Sequence, residues 1–213
     1  MTIEKKANFS SDDVEVLESE QCYSGFLSIK RLSLKHRLYG GGWSPVLARE
    51  LMCREPGVGV LLYDPALDKV LLVEQFRVGC LNDADSPWTI ELVAGIVDTD
   101  ESVCEIAVRE CKEEANVIVS QLLPICEYYN SPGGSTEKLS VFCAKVSVAD
   151  HENLPQSQKV FGLVEEGEDI RSIVMSRVEA EQAVCSGLIN NAMSIIAIQW
   201  LTLNLERVKK AFE

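Results

Sequence analysis

Hydrophobic and polar residues alternate with a period near two along the first quarter of the chain. VEVLESE begins at Val14, and FLSIKRLSLKHRLY sets Leu27, Ile29, Leu32 and Leu34 among lysine, arginine and serine, as half-buried strands do. SPVLARELMC carries the pattern to Cys53, and Tyr39-Gly40-Gly41-Gly42-Trp43 predicts a hairpin turn between strands. Residues 1 to about 13 are polar and are expected to order only by docking. A β region of this size would leave an apolar face and open edges uncovered, so it is expected to pair with something.

From Pro56 the pattern changes to short, nearly continuous apolar runs. GVGVLLYD and KVLLVEQFR read as strands around an Asp64–Asp68 turn, followed by a strand from about Trp88 to Val93. Further strands are expected near Leu122–Tyr129, Leu139–Val146 and Ser172–Ser176, with a long loop running through Glu168 before the last of these. Val178–Gly187 predicts a helix ended by its glycine, and Asn190 or Asn191 caps a final helix to about Lys210. Strands mixed with helices and no βαβ repeat predict an α/β sandwich on a mixed sheet over residues 56–213, with a small antiparallel β appendage over residues 1–55. Trp88 is expected in the core.

One helical segment departs from the usual amphipathic pattern. Ser102 followed by Glu105 is a capping-box start, and Val103, Ile106, Ala107 and Cys111 then gather on one face. Glu110 and Glu114 point into the middle of that apolar arc, with Glu113 at its edge. A carboxylate buried without a partner costs several kcal/mol, roughly, so these groups call for cations or several donors. Two glutamates one helical turn apart present a chelating face for a hard, oxygen-seeking ion such as Mg²⁺ or Mn²⁺.

Composition narrows the alternatives. With 46% hydrophobic residues the 213-residue chain can build a substantial core. A formal charge of −13 opposes binding to nucleic acid or to an anionic membrane through a general basic field. The N-terminal residues hold no apolar stretch of the secretory kind, and the most apolar run, 192–205, is interrupted by polar residues and too short to span a bilayer. The eight cysteines are scattered, without a C-x-x-C pair and with only two histidines, which argues against a zinc cluster and for reduced, buried thiols in a cytoplasmic protein.

The spacing around the acidic helix carries a family resemblance. Gly95, then Glu101, then Arg109-Glu110, then Glu113-Glu114 and Val117 resemble the Nudix box, a loop–helix–loop that binds divalent metal and hydrolyses a nucleoside diphosphate linked to another group. Cys111 stands where an aliphatic residue is usual and packs as a small hydrophobe. Asn116 replaces the closing glycine, and asparagine is the next-best residue for a left-handed position after a helix. A Ser-Pro-Gly-Gly loop beyond the box, together with YSGFLS, LARELMCRE, LLVEQFRVG, SPWTIELVAG, GEDIRS and NNAMSIIAIQWL, is similar to the ADP-ribose pyrophosphatase branch.

That resemblance implies roles. Glu110, Glu114 and the main-chain carbonyl of Ala94 would hold Mg²⁺, two or three ions per site with Mn²⁺ able to substitute, and Glu113 would assist. In the acidic loop around Gly167, Glu166 matches the water-activating base and Glu168 a further metal ligand. Arg54 and Arg77 match substrate contacts, and arginine forks suit a diphosphate. Phe26, Leu27, Arg49 and Glu50 match residues that a second subunit supplies, so a homodimer with shared sites is implied. Ile96, Ser131, Pro132, Gly133 and Glu137 match the remaining contacts, while Glu101 and Arg109 match supporting positions. The implied reaction is Mg²⁺-dependent hydrolysis of ADP-ribose to AMP and ribose 5-phosphate. The competing readings are another nucleoside diphosphate sugar such as GDP-mannose, and a non-catalytic ADP-ribose sensor.

Overall fold

The computed structural model describes residues 8–119 and 121–213, except for the side chain of Asp150. Residues 1–7 of the polar N-terminal stretch lie outside the described residues. The chain divides into two units, one running to Glu55 and including Tyr129–Glu137, the other comprising Pro56–Tyr128 and Lys138–Glu213.

The smaller unit is an antiparallel sheet of β1 (Val14–Ser24), β2 (Ser28–His36) and β3 (Leu47–Cys53) in that order. A short 3-10 turn at Ser11–Asp13, closed by a reciprocal Ser10–Asp13 capping box, leads into β1. Two register shifts, at Val16/Glu18 and Gln21/Tyr23, break the alternation of β1, and the whole strand is exposed. The glycine turn joins β2 to β3 as expected, and the Arg37 guanidinium lies 4.3 Å from the centre of the Trp43 ring. The Tyr129–Glu137 loop belongs to this unit because Met52 and Ser135 form a bridge and the Thr136 hydroxyl accepts the Arg54 N–H at 2.8 Å.

The larger unit is built on an eight-stranded mixed sheet. Its path runs β10 (Val160–Phe161), β11 (Ile170–Ser176), β5 (Lys69–Phe76), β4 (Gly57–Asp64), β9 (Lys138–Lys145) and β8 (Leu122–Tyr129). β6 (Trp88–Glu91) adds to β5 and β7 (Val93–Ile96) to β4, while β4 and β9 run parallel. The central strand β4 is buried throughout, and its period-two geometry divides its side chains between two cores. Val58, Val60 and Leu62 pack with Ile106, Ala107 and Cys111 of α1 (Val103–Ala115). Leu61 and Tyr63 pack with Ala197, Ile198 and Leu201 of α4 (Ala192–Phe212), beside Ala180 and Ala183 of α3 (Arg177–Ser186). The result is the expected α/β/α sandwich.

The structure corrects several details. The expected strand from Trp88 to Val93 is two strands, because the Leu92 N–H turns from the ladder to the Ser194 hydroxyl at 3.1 Å and the chain changes partner from β5 to β4. The expected long loop holds a short helix, α2 (Ala149–Asn153), and the two-residue β10. Trp88 is 53% exposed rather than in the core, with its ring edge-on to Phe76 at 5.5 Å. Of the cysteines, Cys111 and Cys143 are buried as expected, whereas Cys22, Cys104 and Cys185 are exposed; all eight are free.

Candidate active site

Helix α1 begins as the sequence predicts, with Ser102 and Glu105 capping each other, and ends at Asn116 in the left-handed region (φ 50°, ψ 36°). The turn between those ends brings Glu110 and Glu114 against β7. Glu114 is 3% exposed, and its Oε2 accepts the Ala94 N–H at 3.0 Å. Glu110 occupies the space over Gly95, where a side chain would collide with it. Burial pushes the Glu114 carboxyl up to about 8, the Ala94 N–H and Arg77 pulling the other way and Glu110 and Glu168 adding to the rise. Burial likewise pushes Glu110 up to about 7, with Arg109 opposing and Glu113, Glu168 and Glu166 reinforcing.

These two glutamates line a cavity of about 220 Å³, together with Arg77, Ala94, Gly95, Ile96, Arg109, Glu166 and Glu168 among the residues singled out from the sequence. Arg77, just past β5, is held by Glu91 of β6 through Nε at 3.1 Å and Nη2 at 2.7 Å. Thr89 in turn fixes Glu91 through a hydroxyl bond of 2.6 Å. Glu166 ends a 3-10 turn (Val164–Glu166), with Gly167 left-handed behind it. Glu168 folds back, its Oε2 accepting the Leu163 N–H at 2.8 Å. The loop is also fastened to α1 by the Gly162 N–H, which donates to the Glu113 carbonyl at 3.2 Å; Gly162 adopts φ +105°, where a side chain would be strained.

Glu113 is not on the cavity wall. Its carboxylate meets Arg109 at 3.1 Å, and Arg109 also reaches Glu110 at 3.1 Å and Glu101 at 3.3 Å, so the arginine clamps three box acids at once. Glu165 does not line the cavity either, whereas Glu166 and Glu168 do. Residues that the sequence did not single out complete the wall or brace it: Gln75 and Asp98 line it, and Glu91 anchors Arg77. Gln75 lies near the end of β5, two positions before Arg77, which stands just past that strand, and that spacing was the available signal.

The other residues expected to contact substrate belong to the smaller unit. There Arg54 pairs with Glu137 at 3.2 Å and lies 5.6 Å from the Phe26 ring centre. Phe26 is 85% exposed, so it is not a core residue. Leu27 precedes β2, Glu50 of β3 faces Arg31 at 3.7 Å, and the Arg49 guanidinium turns to the Ala48 carbonyl at 2.8 Å. Ser131, Pro132 and Gly133 are exposed at the tip of the loop.

The donor set fits a hard divalent cation. A carboxylate as buried as Glu114, with a single N–H for a partner, is under-compensated until a cation joins it. Among the described residues no three acidic, histidine or cysteine side chains already converge on one point. The two box glutamates would therefore supply part of an oxygen shell, with water, main-chain carbonyl or phosphate oxygens completing it, as Mg²⁺ commonly requires.

Comparison with known proteins agrees with this geometry. The NUDIX domain model matches residues 54–184. An "ADP-ribose pyrophosphatase" of Haemophilus influenzae is 38% identical over 209 residues, covering 97% of this chain and 94% of that one. The protein of that name from Escherichia coli K12 is 38% identical over 201 residues, covering 94% and 93%. A "GDP-mannose pyrophosphatase" of Cronobacter sakazakii is 33% identical over 157 residues, covering 73% and 78%. A solved structure described as "Crystal structure of ADP compounds hydrolase" superposes with a TM-score of 0.70 at 19% identity, over 94% of this chain and 98% of that one, which is a likeness of fold. With its box helix, its paired buried glutamates and a domain match over most of its length, this chain belongs to the Nudix family.

Proposed function

We propose that the chain hydrolyses the diphosphate linkage of ADP-ribose to AMP and ribose 5-phosphate, with Mg²⁺ as its cofactor. The observation that carries the chemistry is the buried Glu110–Glu114 pair sharing one cavity with Arg77. The near-full-length identity to two proteins named ADP-ribose pyrophosphatase supports the choice of substrate. Glu110, Glu114, Glu168 and the Ala94 carbonyl would hold the metal, two or three ions per site, with Mn²⁺ able to substitute. When bound, the metal neutralises charge on the diphosphate and makes water a better nucleophile.

The protein groups divide the remaining work. Arg77, pre-aimed by Glu91, offers its guanidinium to the diphosphate oxygens and favours the charge that grows on the leaving phosphate. Glu166 takes the proton of the attacking water; its place on a short turn beside Gly167 lets it approach once substrate is seated. Arg109, itself on the cavity wall, holds Glu110, Glu113 and Glu101 in a fixed arrangement. We further propose a homodimer in which Phe26, Leu27, Arg49 and Glu50 of one protomer serve the site of the other. The exposed apolar residues Val14, Val16 and Leu17 of β1 support a covered face there. Eight free cysteines support a reducing, cytoplasmic setting. Among the described residues no helix is long and apolar enough to cross a membrane.

The test is a kcat/KM comparison with Mg²⁺ on ADP-ribose, GDP-mannose and related nucleoside diphosphate sugars. ADP-ribose is expected to lead, with AMP as product. A lead for GDP-mannose would transfer the assignment to the second reading, for which the Cronobacter relative speaks. Turnover of none would favour a sensor.

A further inference from the structure

Gln75 is a polar residue that the fold buries and then leaves unsatisfied. It sits in β5 opposite Thr89 of β6, on the wall of the cavity that holds Glu110 and Glu114, and is only 8% exposed. Its amide nitrogen is buried without a hydrogen-bond partner among the described residues. The surrounding polar groups are already engaged with one another: the Thr89 hydroxyl donates to Glu91, and Glu91 accepts Nε and Nη2 of Arg77. That fork leaves Arg77 Nη1 over, two residues from the Gln75 amide. A buried amide without a partner is costly, so an apolar side chain of the same length would suit the fold better.

We propose that Gln75 is a substrate-binding residue whose amide donates to an oxygen of the bound diphosphate, alongside Arg77. The proposal rests on the hydrolase reading above and adds a contact to that site. The last torsion of glutamine is broad and two-fold, so either end of the amide can be presented to the cavity. Anionic oxygens accept only, so the N–H end is the one used. The neighbouring carboxylates attract cations, whereas Gln75 and the spare nitrogen of Arg77 are donors. Cation and anion sides of a metal–diphosphate complex would thus meet different walls of the same cavity.

The experiment compares the full-length protein with Gln75→Leu and Gln75→Met in three measurements: thermal melting without metal, calorimetric binding of inorganic diphosphate with Mg²⁺, and steady-state hydrolysis of ADP-ribose. Both variants are expected to melt at or above the parent temperature, since each removes an unsatisfied amide. They should bind diphosphate at least about tenfold more weakly, as for a lost bond to a charged group. KM for ADP-ribose should rise by a similar factor while kcat changes less. Variants that melt well below the parent would make Gln75 a structural residue and overturn the proposal, as would parental diphosphate binding. If diphosphate binding depends on Gln75 but the parent releases no AMP from ADP-ribose, the substrate assignment fails and the Gln75 contact stands.

Discussion

Gly95 and Glu110 occupy complementary space: a β-carbon on Gly95 would lie 2.4 Å from Cγ, Cδ and Oε1 of the Glu110 side chain. The obstacle is side chain rather than backbone, but it includes Cγ, so Gly95→Ala should still fold, at some cost in melting temperature. The carboxylate must swing away, however, and the metal should feel it. The apparent Mg²⁺ affinity from rate against metal concentration is expected to fall by roughly 10–100-fold, the usual cost of disturbing a ligand's support. A Gly95→Ala enzyme with parental Mg²⁺ dependence would show that Glu110 does not hold metal from this position.

Glu110→Gln and Glu114→Gln keep the shape of the side chains and remove the charge. Each is expected to lower turnover by at least about 10²-fold, beyond the usual loss from groups behind a ligand, with apparent metal affinity falling in parallel. Circular dichroism should be unchanged, because the Ala94 N–H can still donate to the amide oxygen at position 114. Parental rates in both variants would remove the metal assignment.

The raised carboxyls also fix a pH dependence for the metal-free protein. Glu110 and Glu114 titrate at about 7 and about 8 in the fold, above the ordinary value of 4.5. Their protonated forms are thus the ones the fold favours. The stability they contribute is full below about pH 4.5 and is lost as pH rises through 7 and 8. Mg²⁺ displaces those protons, so the rise in melting temperature it causes should grow from pH 6 to pH 9. In Glu114→Gln that growth should shrink; a metal effect independent of pH would contradict it.

In the acidic loop, Glu166→Gln is expected to lower kcat by roughly 10²–10⁴-fold, as for loss of a general base, with little change in KM. Glu165→Gln should be near parental, since Glu165 does not line the cavity. The opposite order, measured in the same assay, would move the base by one residue.

For the shared-site dimer, Arg49→Ala and Glu114→Gln chains should each be inactive alone and regain activity when mixed, because one site of the mixed dimer then has every group. Mixtures that stay inactive, or a fully active monomer in sedimentation at micromolar concentration, would count against it.

What the sequence revealed, and what it hid, follows the range of the interactions. Helix α1 was legible to the residue because Ser102, Glu105 and Asn116 act within one turn of its ends. The odd placement of Glu110 and Glu114 on an apolar arc was legible for the same reason. The break between β6 and β7 was not, because it depends on the Ser194 hydroxyl meeting Leu92 from across the chain. Helix α2 is only five residues long, too short to show a period. Gln75 reads as an ordinary polar position in KVLLVEQF, and only the packing of α1 and β7 turns it into part of a cavity. Trp88, at the first position of its strand, could not be told from a core tryptophan by composition alone.

The tie between the acidic loop and the box helix is made by main-chain atoms, the Gly162 N–H and the Glu113 carbonyl. Such a fastening is indifferent to the side chains that follow it. Val164 is 86% exposed and Glu165 is exposed beside it, so this stretch can diverge or be randomised while Gly162 and Glu168 keep the loop moored. The chain thereby offers protein engineers a short, replaceable segment next to Glu166, in which substitutions are expected to leave the loop's mooring to the box helix in place.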